Sequence, residues 1–228
     1  MLSCFFIFVI FGIGCVSSLS SQEWSQGIST RYWDCCKPSC GWWGKASFTQ
    51  PVLSCNAQGV PVPFSAPSGC QEKGWAFACS NQQPFIVSKN VSYGFAAANL
   101  KDKNEKDWCC RCYMLQFQHP KIAHKTMIVQ VTNTGWDLAH NQFDIAIPGG
   151  GQGIFRGCTE QYKNYKGGND YGGVSNVKDC LRLPRPLVQG CLWRFEWFMN
   201  VDNPKLLFKK VACPTILTNI TQCKQKHL

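Results

Sequence analysis

Histidine is scarce in this chain, with four in 228 residues. None completes a Cys-x2-Cys…His-x3–5-His spacing, so the sequence gives no expectation of a metal or of any other cofactor. Acidic residues are also few, 13 Asp and Glu against 23 Lys and Arg, which leaves a short list for carboxylate chemistry. The Lys and Arg residues are scattered, with no long basic run and no basic helix face, which argues against nucleic acid as a partner. Internal repeats, heptads and low-complexity linkers are missing. Beyond residue 20, no apolar run reaches the length of a membrane span.

What is present begins with an apolar run from Cys4 through Val16 followed by serines. We expect a secretory signal over residues 1–20, cleaved between Ser17 and Ser21, although no Lys or Arg precedes the run. Cys4 and Cys15 fall in this leader, so 14 of the 16 cysteines belong to the mature chain, residues 21–228. An even count in a secreted protein implies up to seven disulfides, formed in an oxidising compartment. Roughly 205 residues suffice for a single domain with its own core. The sequons at Asn90 and Asn219 fit the same extracellular route. The net charge of +10 lies wholly outside residues 1–20 and predicts attraction to an acidic matrix, such as a polyuronate-rich cell wall. The expected protein is extracellular, monomeric and not membrane-bound.

Short alternating stretches predict strands around Tyr113, Leu115 and Phe117; Met127, Val129 and Val131; Phe143, Ile145 and Ile147; and Trp193, Phe195 and Trp197. A further strand is expected from Leu206 to Ala212, and short helices at 95–101 and 177–182. Residues 59–69, rich in Pro, Gly and Ser between Cys55 and Cys70, read as a stapled loop. Many short strands, frequent Gly and Pro, and dense cysteine suggest a β-barrel with long crosslinked loops.

Residues 29–36, Ser-Thr-Arg-Tyr-Trp-Asp-Cys-Cys, place the carboxylate of Asp34 beside Arg31, Tyr32 and Trp33 and before two adjacent cysteines. Neighbouring cysteines normally anchor different bridges, which would hold Asp34 almost immobile; the octet could equally be a disulfide-anchored surface loop. Asp144 lies in an otherwise uncharged strand, Gln142 to Ile147. If Phe143, Ile145 and Ile147 face the core, Asp144 points away, either onto the wet face of an amphipathic strand or to an apolar edge, where desolvation raises a carboxyl pKa toward that of a general acid. Asp137, seven residues earlier, either approaches the same site or caps a turn. Gly149-Gly150-Gly151-Gln152-Gly153 lacks the Gly-Lys-Ser/Thr of a phosphate loop, and instead predicts a tight turn or a close approach to a ligand. Nine tryptophans, including Trp42 and Trp43, offer flat faces for sugar rings, while Trp193 and Trp197 are expected in the core.

These segments carry a resemblance. Ser29 to Cys40, reading STRYWDCCKPSC, resembles the opening of glycoside hydrolase family 45 endoglucanases. The likeness continues through Gln50-Pro51-Val52, Tyr93 to Ala97, Trp108 to Tyr113, Asn141 to Gly151, Tyr171-Gly172-Gly173 and Trp193 to Phe198, covering about residues 29–223. It implies a mostly β fold, a six-stranded double-psi β-barrel with long disulfide-crosslinked loops, a few short helices and an open groove. It further implies inverting hydrolysis of β-1,4-glucan, with Asp34 similar to the general base, Asp144 to the general acid and Asp137 to an assisting carboxylate. Thr30, Tyr32 and Trp42 resemble sugar-contacting residues. The implied disulfides are Cys35–Cys158, Cys36–Cys70, Cys40–Cys109, Cys55–Cys79, Cys110–Cys223, Cys112–Cys213 and Cys180–Cys191. Three positions depart from the pattern: Gln142 where a His is familiar, Trp136 in place of a Gly, and Leu192 in place of an aromatic.

The sequence also lacks the Ser/Thr/Pro-rich tail that would tether a carbohydrate-binding module. Cellulose, mixed-linkage glucan, xyloglucan and glucomannan share the β-1,4 backbone and remain alternatives as substrate. A rival class is the non-catalytic, expansin-like wall-loosening protein on the same barrel. Such proteins lack the base of the YWDCC segment, so Asp34 separates the two readings.

Overall fold

The computed structural model describes residues 23–226, so the expected leader and its cleavage point lie outside the described residues. The strands are β1 (Ser25–Tyr32), β2 (Ser54–Cys55), β3 (Phe77–Ala78), β4 (Phe85–Ser88), β5 (Val91–Asn99), β6 (Cys112–Phe117), β7 (Thr126–Thr134), β8 (Gln142–Ala146) and β9 (Lys205–Val211). The α-helices are short: α1 (Glu105–Trp108), α2 (Gly157–Gln161), α3 (Val188–Glu196) and α4 (Thr215–Thr221). None is long and apolar enough to cross a membrane.

The large sheet runs β4-β5-β7-β6-β9-β1-β8, and a further β5–β8 pairing closes six of these strands into a barrel. Two pairs are parallel, β1 with β8 and β5 with β7, and the rest are antiparallel, the double-psi arrangement that the resemblance implies. Closure removes the free edges that an open sheet would expose. The alternating residues of β6, β7 and β8 fill the interior, where Leu115, Met127, Val129, Val131, Phe143 and Ile145 are wholly buried. Tyr113, Phe143 and Phe208 meet there at ring-centroid distances of 5.0–6.1 Å. Gln130 is buried on the same strand, but its amide is satisfied: Nε2 donates to the carbonyls of Cys110 and Cys223, and Oε1 accepts from Thr221 Oγ1.

Two expected elements differ. The segment 95–101 is not a helix; residues 91–99 form β5. Phe95, Ala96, Ala97 and Ala98 are buried on both faces between β7 and β8, so tertiary pairing overrides the helix propensity of alanine. The Trp193–Trp197 stretch is not a strand but lies in and just after α3. Residues 193, 194, 197 and 198 are buried, a helical period, and the Trp193 and Trp197 rings stack at 5.2 Å. Alternating aromatics over five residues fit both periods, and the flanking sequence decides between them. The expected helix at 177–182 is present as a 3-10 helix, Val177–Arg182.

Seven disulfides lace the loops to the barrel: Cys35–Cys158, Cys36–Cys70, Cys40–Cys109, Cys55–Cys79, Cys110–Cys223, Cys112–Cys213 and Cys180–Cys191. Four of them span more than 65 residues of sequence, so each strongly restricts the unfolded chain and contributes about 2–4 kcal/mol. Asn90 and Asn219 are both exposed.

Candidate active site

Strand β1 positions the site. Its parallel register sets Thr30 opposite Asp144 and Tyr32 opposite Ala146 on β8. Asp144 turns away from the core residues on either side of it, Phe143 and Ile145, and reaches a groove of about 470 Å³. Thr30, Tyr32, Asp137 and Gln142 also line this groove. Across from Asp144, β5 contributes Ala97, whose small side chain leaves room beside the carboxyl. The alanine run that imitates a helix in the sequence therefore thins the wall next to the acid.

Asp34 follows two residues after the end of β1 and lines a small adjoining pocket with Tyr32, Cys36 and Ala146. Tyr32 borders both spaces, and the two carboxyls are close enough for the Asp34 charge to act on Asp144. The Cys36 N–H donates to Asp34 Oδ1 at 2.9 Å. Cys35 adopts a left-handed backbone with φ of 62°, an uncommon conformation for a β-carbon residue, and its bridge to Cys158 holds it there. The next residue is bridged to Cys70, so covalent ties fix both positions after Asp34. Trp33 N–H donates to Gly151 O at 2.7 Å, which straps the glycine loop after β8 against the octet. Helix α2 can approach only because residue 157 is glycine: a β-carbon there would lie 2.6 Å from the Asp34 carbonyl oxygen.

Burial pushes the Asp34 carboxyl up to about 6, against the opposing effect of the Cys36 N–H. Asp144 rises further, to about 7, first through desolvation and then through the negative charges of Asp137 and Asp34. The Thr30 hydroxyl, which donates to Asp144 Oδ1 at 2.6 Å, and the Arg31 charge hold that rise in check. Two carboxyls separated in this way suit opposite protonation roles near pH 6–7.

Asp144 is also linked to the 135–141 loop. The Ala139 N–H donates to Gln142 Oε1 at 3.0 Å, Gln142 Nε2 donates to Thr30 Oγ1 at 2.9 Å, and Thr30 donates to Asp144. Thr30 is thus engaged with the carboxyl. Gln142, the departure from the familiar histidine, forms a neutral link that carries no charge of its own. Asp137 is exposed on this loop, and the adjacent Trp136 is 82% exposed.

Trp42 stands apart. It lines neither space, and its ring lies under Lys37 Nζ at 3.3 Å, while that ammonium also donates to the carbonyls of Phe64 and Ala66. The structure adds groove residues that the sequence did not single out, Asp202, Asn203 and Asp170, and sets the exposed Tyr171 among them. Arg31 pairs with Asp202 and donates to Gly172 O, and Arg156 pairs with Asp170. These contacts join segments 140 or more residues apart, or two irregular loops, and no local pattern marks them. The Tyr171-Gly172-Gly173 triplet is the one signal that touches this rim.

The comparisons with known proteins bear on this cleft. The family model for glycosyl hydrolase family 45 matches residues 26–224. The chain belongs to that family. It is a glycoside hydrolase. The chain is 51% identical over 201 residues to an endoglucanase of Cryptopygus antarcticus, covering 87% of this chain and 88% of that protein. Identity to a putative endoglucanase type K of Fusarium oxysporum is 48%, covering 88% of this chain but 54% of the Fusarium protein. An endoglucanase of Phaedon cochleariae is 42% identical over 203 residues. The crystal structure of the cellulase from the Antarctic springtail Cryptopygus antarcticus superposes with a TM-score of 0.83 at 50% identity, covering 88% of this chain and 97% of that one.

Proposed function

We propose that this family 45 hydrolase is an inverting endo-β-1,4-glucanase, in which Asp144 is the general acid and Asp34 the general base. The observation that carries the reading is the pair of desolvated carboxyls on one cleft, at about 6 and about 7, with the higher one hydrogen-bonded to Thr30. Protonated Asp144 gives its proton to the glycosidic oxygen as the bond from the anomeric carbon to that oxygen breaks. Ionised Asp34 takes a proton from a water that attacks the anomeric carbon from the opposite face. The new carbon–oxygen bond has inverted configuration, and exchange with solvent resets both carboxyls. Asp137 assists by disfavouring the charged form of Asp144, which keeps the acid loaded. The Thr30–Gln142 link fixes the direction in which Asp144 presents its proton.

The groove is open along the barrel surface, which suits attack within a chain. Tyr32 at its floor, with Tyr171 and Trp136 at its rim, offers flat faces to successive sugars. Trp42, outside both spaces, is proposed as a more distant contact along the same polymer. The polymer is a β-1,4-linked glucan of cellulose type, and exposed Trp136 is the position that would tune preference among substituted backbones. The leader-like residues 1–20 and the dense disulfides support secretion of the protein as a single catalytic domain. The coexistence of Asp34 with Asp144 disfavours the non-catalytic, expansin-like reading.

Stereochemistry tests this mechanism. Inverting carboxyls stand about 6.5–9.5 Å apart and leave room for water, whereas a retaining pair lies at about 5–5.5 Å. NMR during hydrolysis of cello-oligosaccharides is expected to show the α-anomer first. A β-anomer appearing first, or a glycosyl group trapped on Asp34, would sink it.

A further inference from the structure

At the opposite end of β1 from the carboxyls lies a second cleft of about 710 Å³, larger than the catalytic groove and sharing no residue with it. Tyr113 and Phe208 are among its lining residues, and six cations line it: Lys103, Lys106, Arg111, Lys209, Lys210 and Lys226. Only two acids, Glu23 and Asp107, share the space. The barrel itself gathers part of this charge, because antiparallel pairing sets Lys210 beside Tyr113 and Lys209 beside Met114. Among the described residues, none of the six cations makes an ion pair. The Arg111 Nε is buried and has no hydrogen-bond partner. Such a donor is costly to leave unmet, and crowding like charges around it adds to the cost. The Lys210 ammonium is held below its usual range, first by burial and then by the charges of Arg111 and Lys103.

We propose that this cleft binds an acidic, uronate-bearing polysaccharide chain, at a site separate from the one that cleaves glucan. A guanidinium presents a planar fork that matches a carboxylate, and Arg111, half-buried in the cleft wall, can offer the outer nitrogens of that fork. The cations come from three separate stretches of chain, 103–111, 209–210 and 226, which suits a chain with repeated charges. Trp24, 37% exposed beneath Lys209 Nζ at 4.7 Å, adds a flat face beside the cleft against which a sugar ring can lie. A neutral glucan would leave the cations unpaired. The choice of uronate over other polyanions rests on the reading above that the enzyme works among wall polysaccharides. Binding there would hold the enzyme on the matrix around its substrate while the catalytic groove stays free.

The test is calorimetric titration of the full protein, carrying Asp144→Asn so that cellohexaose is not cleaved, with hexagalacturonate, cellohexaose and a single-stranded DNA hexamer, at low and physiological salt. Hexagalacturonate is expected to bind in the presence of saturating cellohexaose and to weaken as salt rises. The double variant Arg111→Gln/Lys210→Gln is expected to lose about tenfold in that affinity while keeping kcat on a soluble glucan. Because Arg111 is partly buried, the rim pair Lys103→Gln/Lys226→Gln is measured alongside and is expected to weaken binding in the same direction. Failure of hexagalacturonate to bind once cellohexaose saturates the groove, unchanged affinity in both double variants, or equally tight DNA binding would each overturn the proposal. Loss of uronate affinity in both variants, in a protein that hydrolyses no glucan, would uphold the cleft and overturn only the catalytic reading.

Discussion

The two ends of β1 are a few residues apart on one strand and electrostatically opposite. Around Thr30 to Tyr32 the lining charges are mostly acidic: Asp137, Asp144, Asp170 and Asp202, with Arg31 committed to Asp202. Around Ser25 they are mostly basic and unpaired. A chain carrying +10 would depress every carboxyl if its cations were spread evenly, and a depressed Asp144 could not hold a proton near neutral pH. Six of the 23 cations line the far cleft, and Arg31 is the one whose charge opposes the rise at Asp144, so desolvation governs that carboxyl. The net charge and the raised carboxyls are compatible because the fold keeps them apart.

The largest effect that sharpens this contrast is loss of either carboxyl. Asp34→Ala and Asp144→Ala are each expected to lower kcat by at least about 10²-fold with the fold intact, while Asp137→Ala, which acts through Asp144, costs less. Near-normal turnover in Asp34→Ala, with unchanged circular dichroism, would remove it as the base.

A smaller effect tests whether local contacts or the distant cations set the protonation of the pair. The pH profile of kcat/KM is expected to rise as Asp34 ionises near 6 and fall as Asp144 ionises near 7, both values belonging to the coupled pair. The Thr30 hydroxyl stabilises the charged form of Asp144, so Thr30→Val is expected to move the alkaline limb upward, and Gln142→Ala to move it the same way by less. If charge reversal at Lys209 and Lys210 moved that limb further than Thr30→Val does, the two ends would not be electrically independent.

The smallest effect is on stability. Asp144 holds its proton up to about 7 when folded, against about 3.9 for an ordinary aspartate. Between those values the folded chain binds more protons than the unfolded one, so stability falls as pH rises through the window. Asp144→Asn removes this penalty and is expected to stabilise the protein by about 1–3 kcal/mol at pH 8 and by little at pH 4, read by denaturant titration. Equal stabilisation at both values would show that the carboxyl is not desolvated as described.

Much of this was legible in the sequence. Strict alternation in β6, β7 and β8 marked the barrel interior, and the lone acid in an apolar strand marked Asp144. The Ala-rich β5 misled because its pairing partners lie far along the chain, and the aromatic α3 because five alternating residues fit both periods. Cysteine arithmetic alone left many pairings open, and resemblance supplied the choice among them. The basic cleft was hidden for the same reason as β5. Lysines at 103, 106, 209, 210 and 226 look scattered along the chain, and only the β6–β9 pairing and the chain end bring them together.

The paired crosslinks after Asp34 make the catalytic power of the protein a reporter of its oxidation state. Cys35 is tied to residue 158 in α2 and Cys36 to residue 70 in a loop, both outside the barrel strands, whereas the barrel closes through its own strand pairing. Mild reduction would reach the half-buried Cys36–Cys70 bridge before the fully buried Cys35–Cys158, loosening the segment that carries Asp34 while the β-structure persists. Activity is then expected to fall while the far-ultraviolet signal persists, whereas a chain made in a reducing cytosol, without any of the seven bridges, is expected to lose its fold as well.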